Sequence, residues 1–241
     1  MYQISAFDLA VGFIPVLVTL VIIFYWSDNL KNASLAIVRM LIQLLMIGYA
    51  LNFIFNTKSQ WIVLLVLTFM LLAASWISLT ALPINRRSLL KFSIIAIFVG
   101  GSSNLILVTQ GVLHIDPWYQ PAVMIPLAGM IFSNSMNTIS LAGERLFSEL
   151  HHQVDYRRAR STAFQAAMIP VTNSLLAVGL VSLPGMMTGQ ILAGTSPLIA
   201  SRYQIMVMCM IFSSSGISAA LFLWLLRHRE SMLNLNQSKD L

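Results

Sequence analysis

Pro126-Leu-Ala-Gly-Met-Ile-Phe-Ser-Asn-Ser-Met-Asn-Thr-Ile-Ser-Leu-Ala-Gly-Glu-Arg-Leu-Phe-Ser-Glu-Leu150 begins as an apolar run and ends as a charged, water-facing one. On a helix at 100° per residue, Met130, Asn134, Asn137, Leu141, Glu144 and Ser148 fall within roughly an 80° arc. A polar stripe that enters a bilayer on an otherwise apolar helix must face protein or a water-filled cavity, because lipid offers no hydrogen bonds. Two readings of the stripe stay open at this level. The Asn134 and Asn137 amides either tie helices together or line a transport pathway that grades toward Glu144.

Composition places the surroundings of that stretch. Of 241 residues, 58% are hydrophobic and only 9% charged, and the mean hydropathy is +0.81. Soluble domains carry about 25% charged residues, so the expectation is an all-α, polytopic integral membrane protein. Several apolar runs reach the roughly 20 residues that cross a bilayer as helix. The short alternating strands of a membrane barrel are not seen. A net charge of +6 points to topology and not to nucleic acid, since the basic residues sit between apolar runs. The single cysteine, Cys209, lies inside an apolar run and excludes an intrachain disulfide. The N-terminus lacks a basic n-region, so the first run is expected to be a span and not a cleaved signal.

Seven segments are expected within a single transmembrane domain over 1–241: Phe7–Trp26, Leu35–Phe55, Trp61–Leu82, Phe92–Gln110, the organising stretch, Ala166–Leu183 and Tyr203–Leu226. The second holds Arg39 and Gln43 on one helical face. Arg39 either snorkels to the interface or partners the Asn134–Glu144 stripe. The fourth is interrupted by Gly100-Gly-Ser-Ser-Asn104, a close-packing or kink site. Pro170, Thr172 and Asn173 lie inside the sixth. The stretch 149–165 is the most polar of the chain and is read as an exposed helix-forming loop carrying Glu149, Arg157, Arg158 and Arg160. Residues 184–197 are too short and glycine-rich to span, so a re-entrant or interfacial element is expected.

The distribution of positive charge orients the chain. With the N-terminus outside and the C-terminus inside, Lys31, Arg39, Arg86, Arg87, Lys91, Arg145, Arg157, Arg158, Arg160, Arg227, Arg229 and Lys239 are cytoplasmic, and only Lys58 and Arg202 are outside. Chemistry-bearing motifs are few. The G-x-x-x-x-G-K-[ST] phosphate loop is absent, so ATP hydrolysis by that route is excluded, as are H-E-x-x-H and G-x-S-x-G sites. His151, His152 and Asp155 are better explained as a solvated loop than as a metal site. The 14 methionines are scattered gap-fillers, with Met186-Met187 beside Gln190 the one notable cluster. No cofactor is expected, and the residues of any metal site stay unknown.

Three blocks carry a resemblance. Pro126 through Leu146, Ile169-Pro-Val-Thr-Asn-Ser174 with Val181-Ser-Leu-Pro-Gly-Met-Met-Thr-Gly-Gln-Ile-Leu-Ala-Gly194, and Arg39-Met-Leu-Ile-Gln-Leu44 together resemble the iron-export ABC transporter permease family, whose plant relatives are tied to aluminium tolerance. The resemblance implies a transport subunit of the cell membrane that is no enzyme itself. It would form a homodimer and pair with a separate ATP-binding subunit, exporting iron or another metal ion. A nucleotide sugar, named for plant relatives, is the alternative solute, and a seven-helix receptor or scaffold the alternative role. On this reading Asn134, Asn137, Glu144, Arg39, Gln43 and Asn173 belong to the substrate pathway, while Glu149, Arg157, Arg158 and Arg160 couple to the ATPase. Two departures stand out. The family pattern has a longer helical segment after Ser-Glu-Leu, where this chain has only residues 151–166, and it has Gly-Asn-Ser-Met-Asn where this chain has Ser133-Asn-Ser-Met-Asn137.

Overall fold

A computed structural model describes residues 5–27, 30–55, 59–82 and 86–227. Lys58, Arg229 and Lys239 of the charge distribution lie outside the described residues, as do Pro83 and Gln237. Among the described residues the regular elements are all helices, the form in which a single segment satisfies its own backbone in lipid. The chain divides into two compact units, residues 1–57 and 58–241.

In the first unit, α1 (Ala6–Gly12) opens with a capping box. The Ser5 hydroxyl accepts from the Asp8 N–H at 3.2 Å, and the Asp8 carboxylate accepts from the Ser5 N–H at 3.0 Å. α2 (Ile14–Trp26) carries Pro15 in its first turn, where a missing N–H breaks no helical bond. α2 is apolar all round and buries none of its residues within the protein, so its stability requires an apolar surrounding. α3 (Leu30–Phe55) presents both Arg39 and Gln43 as exposed side chains.

The second unit contains α4 (Gln60–Ile77), α5 (Arg86–Ile106) with a π-helical turn at Leu107–Val112, α6 (Pro121–His151), α7 (Tyr156–Ala177), α8 (Gly185–Leu192) and α9 (Pro197–Leu226). α6 packs on α4, α5, α7 and α9. Its Leu127, Ala128, Ile131, Ile139, Ala142 and Leu146 are fully buried and recur at three- and four-residue spacing. α5 runs unbroken through Gly100 and Gly101, which makes that run a close-packing site. A Cβ on Gly100 would stand 2.9 Å from the Ser218 backbone nitrogen, and one on Gly101 2.9 Å from the Phe132 ring. Small hydroxyls then join neighbouring helices, as expected where apolar burial gives no preference over lipid. The Ser78 and Ser93 hydroxyls bond at 2.8 Å, Ser218 donates to Ser135 at 3.2 Å, and Ser213 donates to the Asn104 side-chain carbonyl.

Among the described residues six helices are long and apolar enough to cross a membrane: Asp8–Trp26, Leu30–Phe55, Gln60–Ile77, Arg86–Val112, Pro121–His151 and Pro197–Leu226. α7 does not meet that measure, its first turns carrying Arg157, Arg158 and Arg160. The Tyr156 hydroxyl, at its N-terminus, donates to the Leu223 carbonyl, near the C-terminus of α9. The chain leaves that end through α7, whose 22 residues reach about 33 Å, and returns to it through α9. The start of α7 differs from the sequence expectation of Ala166. The helix begins ten residues earlier because Asp155 caps it, accepting from the Arg157 N–H at 3.0 Å, and because Tyr156, Ala159 and Ala163 form a buried face. It ends at Ala177, before Gly179 turns the chain with φ of 82°. Within 184–197, α8 is only eight residues long, too short to cross.

Candidate functional site

An open cleft of about 380 Å³ lies between α6 and α7, lined by Asn134, Asn137, Thr138, Ser140 and Leu141 from one helix and Ala167, Pro170, Val171 and Ser174 from the other. The Asn134 amide donates to the Met130 carbonyl of its own helix at 2.8 Å, leaving its carbonyl oxygen and second N–H uncommitted. Asn137 is exposed. Thr138 donates to the Asn134 backbone carbonyl at 2.8 Å and Ser174 to the Pro170 backbone carbonyl at 3.0 Å, so both hydroxyl oxygens keep accepting capacity. Pro170 has no N–H and frees the Ala166 carbonyl from its helical bond. The cleft wall is thus neutral, with amides and hydroxyls set among the apolar Leu141, Ala167, Pro170 and Val171, and those polar groups can replace part of a solute's hydration without holding it tightly. No carboxylate lines it. Among the described residues no group of three His, Cys, Asp or Glu comes together for a metal ion.

The predicted residues separate in the structure. Asn134 and Asn137 share the cleft, and the helix–helix hydrogen bond of this part of α6 comes from Ser135 instead. Glu144 is exposed and lies outside the cleft, about 10 Å further along α6. Asn173 lines an adjoining cavity of about 420 Å³ with Ser182, Pro184 and Met208, and Ser174 borders both spaces. Arg39 and Gln43 belong to the first unit. Sequence reading missed Thr138, Ser140, Pro170 and Ser174. A wider arc on α6 holds the first two, which flank Asn137 by about 100° and 60°, but nothing in one dimension pairs α7 with that arc. Of the Met186-Met187 cluster, Met187 lines a further cavity of about 320 Å³ beside Met208 and Cys209, and the Gln190 side-chain oxygen is buried without a partner.

The polar stretch 149–165 resolves into the last turn of α6, a tight turn and the first turns of α7. The His152 N–H bonds back to the Ser148 and Glu149 carbonyls, and Gln153 takes a φ of 58° to reverse the chain. Glu149 pairs with Arg145 at 2.5 Å across one helical turn and not with the arginines of α7. Arg157 and Arg158 are exposed and Arg160 is half-buried.

The family model described as "Uncharacterised protein family (UPF0014)" matches residues 6–160 and 154–230. The chain belongs to the UPF0014 family. It is the family toward which the Asn134 block pointed. The UPF0014 chain is 40% identical to a UPF0014 membrane protein of Synechocystis over 75% of each chain. It is 33% identical to the probable iron export permease protein FetB of Escherichia coli, over 81% of this chain and 80% of that one. It is also 31% identical to the protein ALUMINUM SENSITIVE 3 of Arabidopsis thaliana, over 85% of this chain and 80% of that one. No solved structure matches. Family and helices together make this a multi-pass membrane protein.

Proposed function

We propose that this UPF0014 chain is the permease subunit of an ABC transporter of the cell membrane, a single permease domain acting as a homodimer. It would export iron or another metal ion with ATP hydrolysed by a separate subunit. The observation that carries the reading is the cleft between α6 and α7, where amide and hydroxyl groups with spare hydrogen-bonding capacity line an opening in a largely apolar bundle. Its support from outside the fold is the likeness to the E. coli probable iron export permease protein FetB. The same two helices meet at the turn 152–155, from which Arg157 and Arg158 project. A force on that turn acts along two packed rods whose far portions wall the cleft, about 20 Å away at Asn137. That makes Glu149, Arg157, Arg158 and Arg160 the coupling end and Asn134 and Asn137 the pathway, with Glu144 between them. Asn173 extends the pathway on this reading, and Arg39 and Gln43, in the first unit, are assigned to it by the family resemblance alone.

One observation favours a second solute class. A wall of amides and hydroxyls without carboxylate suits the hydroxyls of a sugar better than a hard cation, which prefers several charged oxygens. The test is to purify the chain with its ATP-binding partner, reconstitute both in vesicles, and compare ferrous iron with a nucleotide sugar as stimulant of ATP hydrolysis and as transported solute. Stimulation and transport of iron alone are expected. Response to the sugar alone would replace the metal. Failure to form any complex with an ATP-binding subunit would return the chain to a receptor or scaffold role.

A further inference from the structure

At one end of the second unit α7 begins and α9 stops. The Tyr156–Leu223 hydrogen bond ties those two ends together. Alongside it runs a groove of about 600 Å³ between α7 and α9, lined by Arg160, Ser161, Phe164, Ile217, Leu221 and Trp224. That volume lies within the roughly 300–1,000 Å³ of small-molecule sites. The lining is divided by chemistry along its length. Arg160 and Ser161 stand at the helix end, and Phe164, Ile217 and Leu221 follow toward the middle of the bundle.

Helical register adds charge to the polar end. Arg157 precedes Arg160 by three positions and Ser161 by four, so it shares their face of α7. Arg227 caps α9 three residues after Trp224. No ion pair among the described residues involves Arg157, Arg160 or Arg227. The acidic residues close in sequence make other contacts: an Asp155 carboxylate oxygen accepts the Arg157 backbone N–H, and Glu149 pairs with Arg145. Ile217 meanwhile leaves 44% of its surface outside the protein.

We propose that this groove binds an anionic phospholipid, its phosphate held by Arg160 and Ser161 with Arg157 and Arg227 nearby, and an acyl chain laid along Phe164, Leu221 and Ile217. Only a ligand that is anionic at one end and hydrocarbon beyond it satisfies both halves of the groove. A soluble anion leaves the apolar half bare, and a neutral lipid leaves the arginines without a counter-charge. A second copy of the chain, packed groove to groove about an axis along the membrane normal, would bring like arginines to the same level. Basic pockets between membrane helices at the headgroup level are established sites for such lipids in general.

The experiment uses the full chain purified in detergent, incubated with phosphatidylglycerol or phosphatidylcholine of identical acyl chains and read by native mass spectrometry. Phosphatidylglycerol is expected to be retained at least tenfold over phosphatidylcholine. Arg160→Gln should lower that retention roughly fivefold, the weight of one basic residue at an anionic surface, and leave phosphatidylcholine unaffected. Ile217→Trp should fill the groove and remove the retained lipid. Equal retention of the two lipids overturns the proposal, as does unchanged phosphatidylglycerol binding in Arg160→Gln, which decides alone if Ile217→Trp does not fold. Displacement of the lipid by inorganic phosphate at matched concentration would make this a soluble-anion site. Loss of a dimer without loss of lipid in Ile217→Trp would assign the groove to a second copy. Either result refutes the lipid assignment.

Discussion

Asn134 and Ser135 are adjacent in sequence, about 100° apart on α6, and their side chains do different work. Ser135 receives a hydrogen bond from Ser218 of α9, whereas Asn134 bonds only its own helix and faces the cleft. Removing both amides, in Asn134→Ala with Asn137→Ala, should therefore barely move the melting temperature in detergent and should cut transport at least tenfold. Near-normal transport by the double variant would sink the pathway assignment. Ser135→Ala is the reverse case. It should cost about 0.6 kcal/mol, the average for intramembrane hydrogen bonds, and leave transport in place. At Gly100 the constraint is steric: a Cβ 2.9 Å from the Ser218 backbone nitrogen cannot be relieved by rotating a side chain. Gly100→Ala should destabilise by about 1–3 kcal/mol in thermal denaturation. Gly111→Ala, with nothing within 4 Å of its added carbon, should not.

At the scale of elements, the α6–α7 hairpin joins the cleft to the arginine-bearing turn. The two helices pack along each other, and the start of α7 is fixed by the Asp155 cap, the buried Ala159 and Ala163, and the Tyr156–Leu223 bond to α9. Arg157 and Arg158 point away from that buried face, so reversing their charge should not disturb the helix. Arg157→Glu with Arg158→Glu is expected to keep the circular dichroism of the parent while uncoupling ATP hydrolysis from transport or preventing the complex. An unchanged complex with coupled transport would place the ATPase contact elsewhere. Asp155→Ala should lower stability by about 1 kcal/mol, the usual loss at a helix N-cap, with the melting temperature as the readout.

For the whole molecule the testable property is orientation. The arginines at the α6–α7 turn and at the end of α9 lie at the same end of the second unit, brought there by the Tyr156–Leu223 bond, and the positive-inside tendency assigns that end to the cytoplasm. A cysteine placed at Gln153, in a Cys209→Ala background because Cys209 is itself exposed, should resist a membrane-impermeant thiol reagent in intact cells. The same protection is expected for Gln237→Cys in the tail. Rapid labelling of Gln153→Cys would invert the topology.

Hydropathy alone determined that this is a multi-span helical protein. Backbone satisfaction in lipid allows a long apolar segment only one common form, so Asp8–Trp26 or Pro197–Leu226 could be read without knowing their neighbours. The polar stripe of α6 was legible for the same reason, since helical angle follows from position. What the sequence could not decide is which neighbour each face meets. Asn134 and Ser174 are forty residues apart, and they wall one cleft only because α6 and α7 fold back on each other through the turn at Gln153. The start of α7 was hidden by its own charge: arginines suggested a loop, while Tyr156, Ala159 and Ala163 could bury themselves only once α6 and α9 were packed against α7. The assignment of Ser135 to packing and Asn134 to the cleft was likewise a tertiary decision. Both are small polar residues on one helix, and only the position of the next helix distinguishes a side chain that finds a partner from one that faces open space.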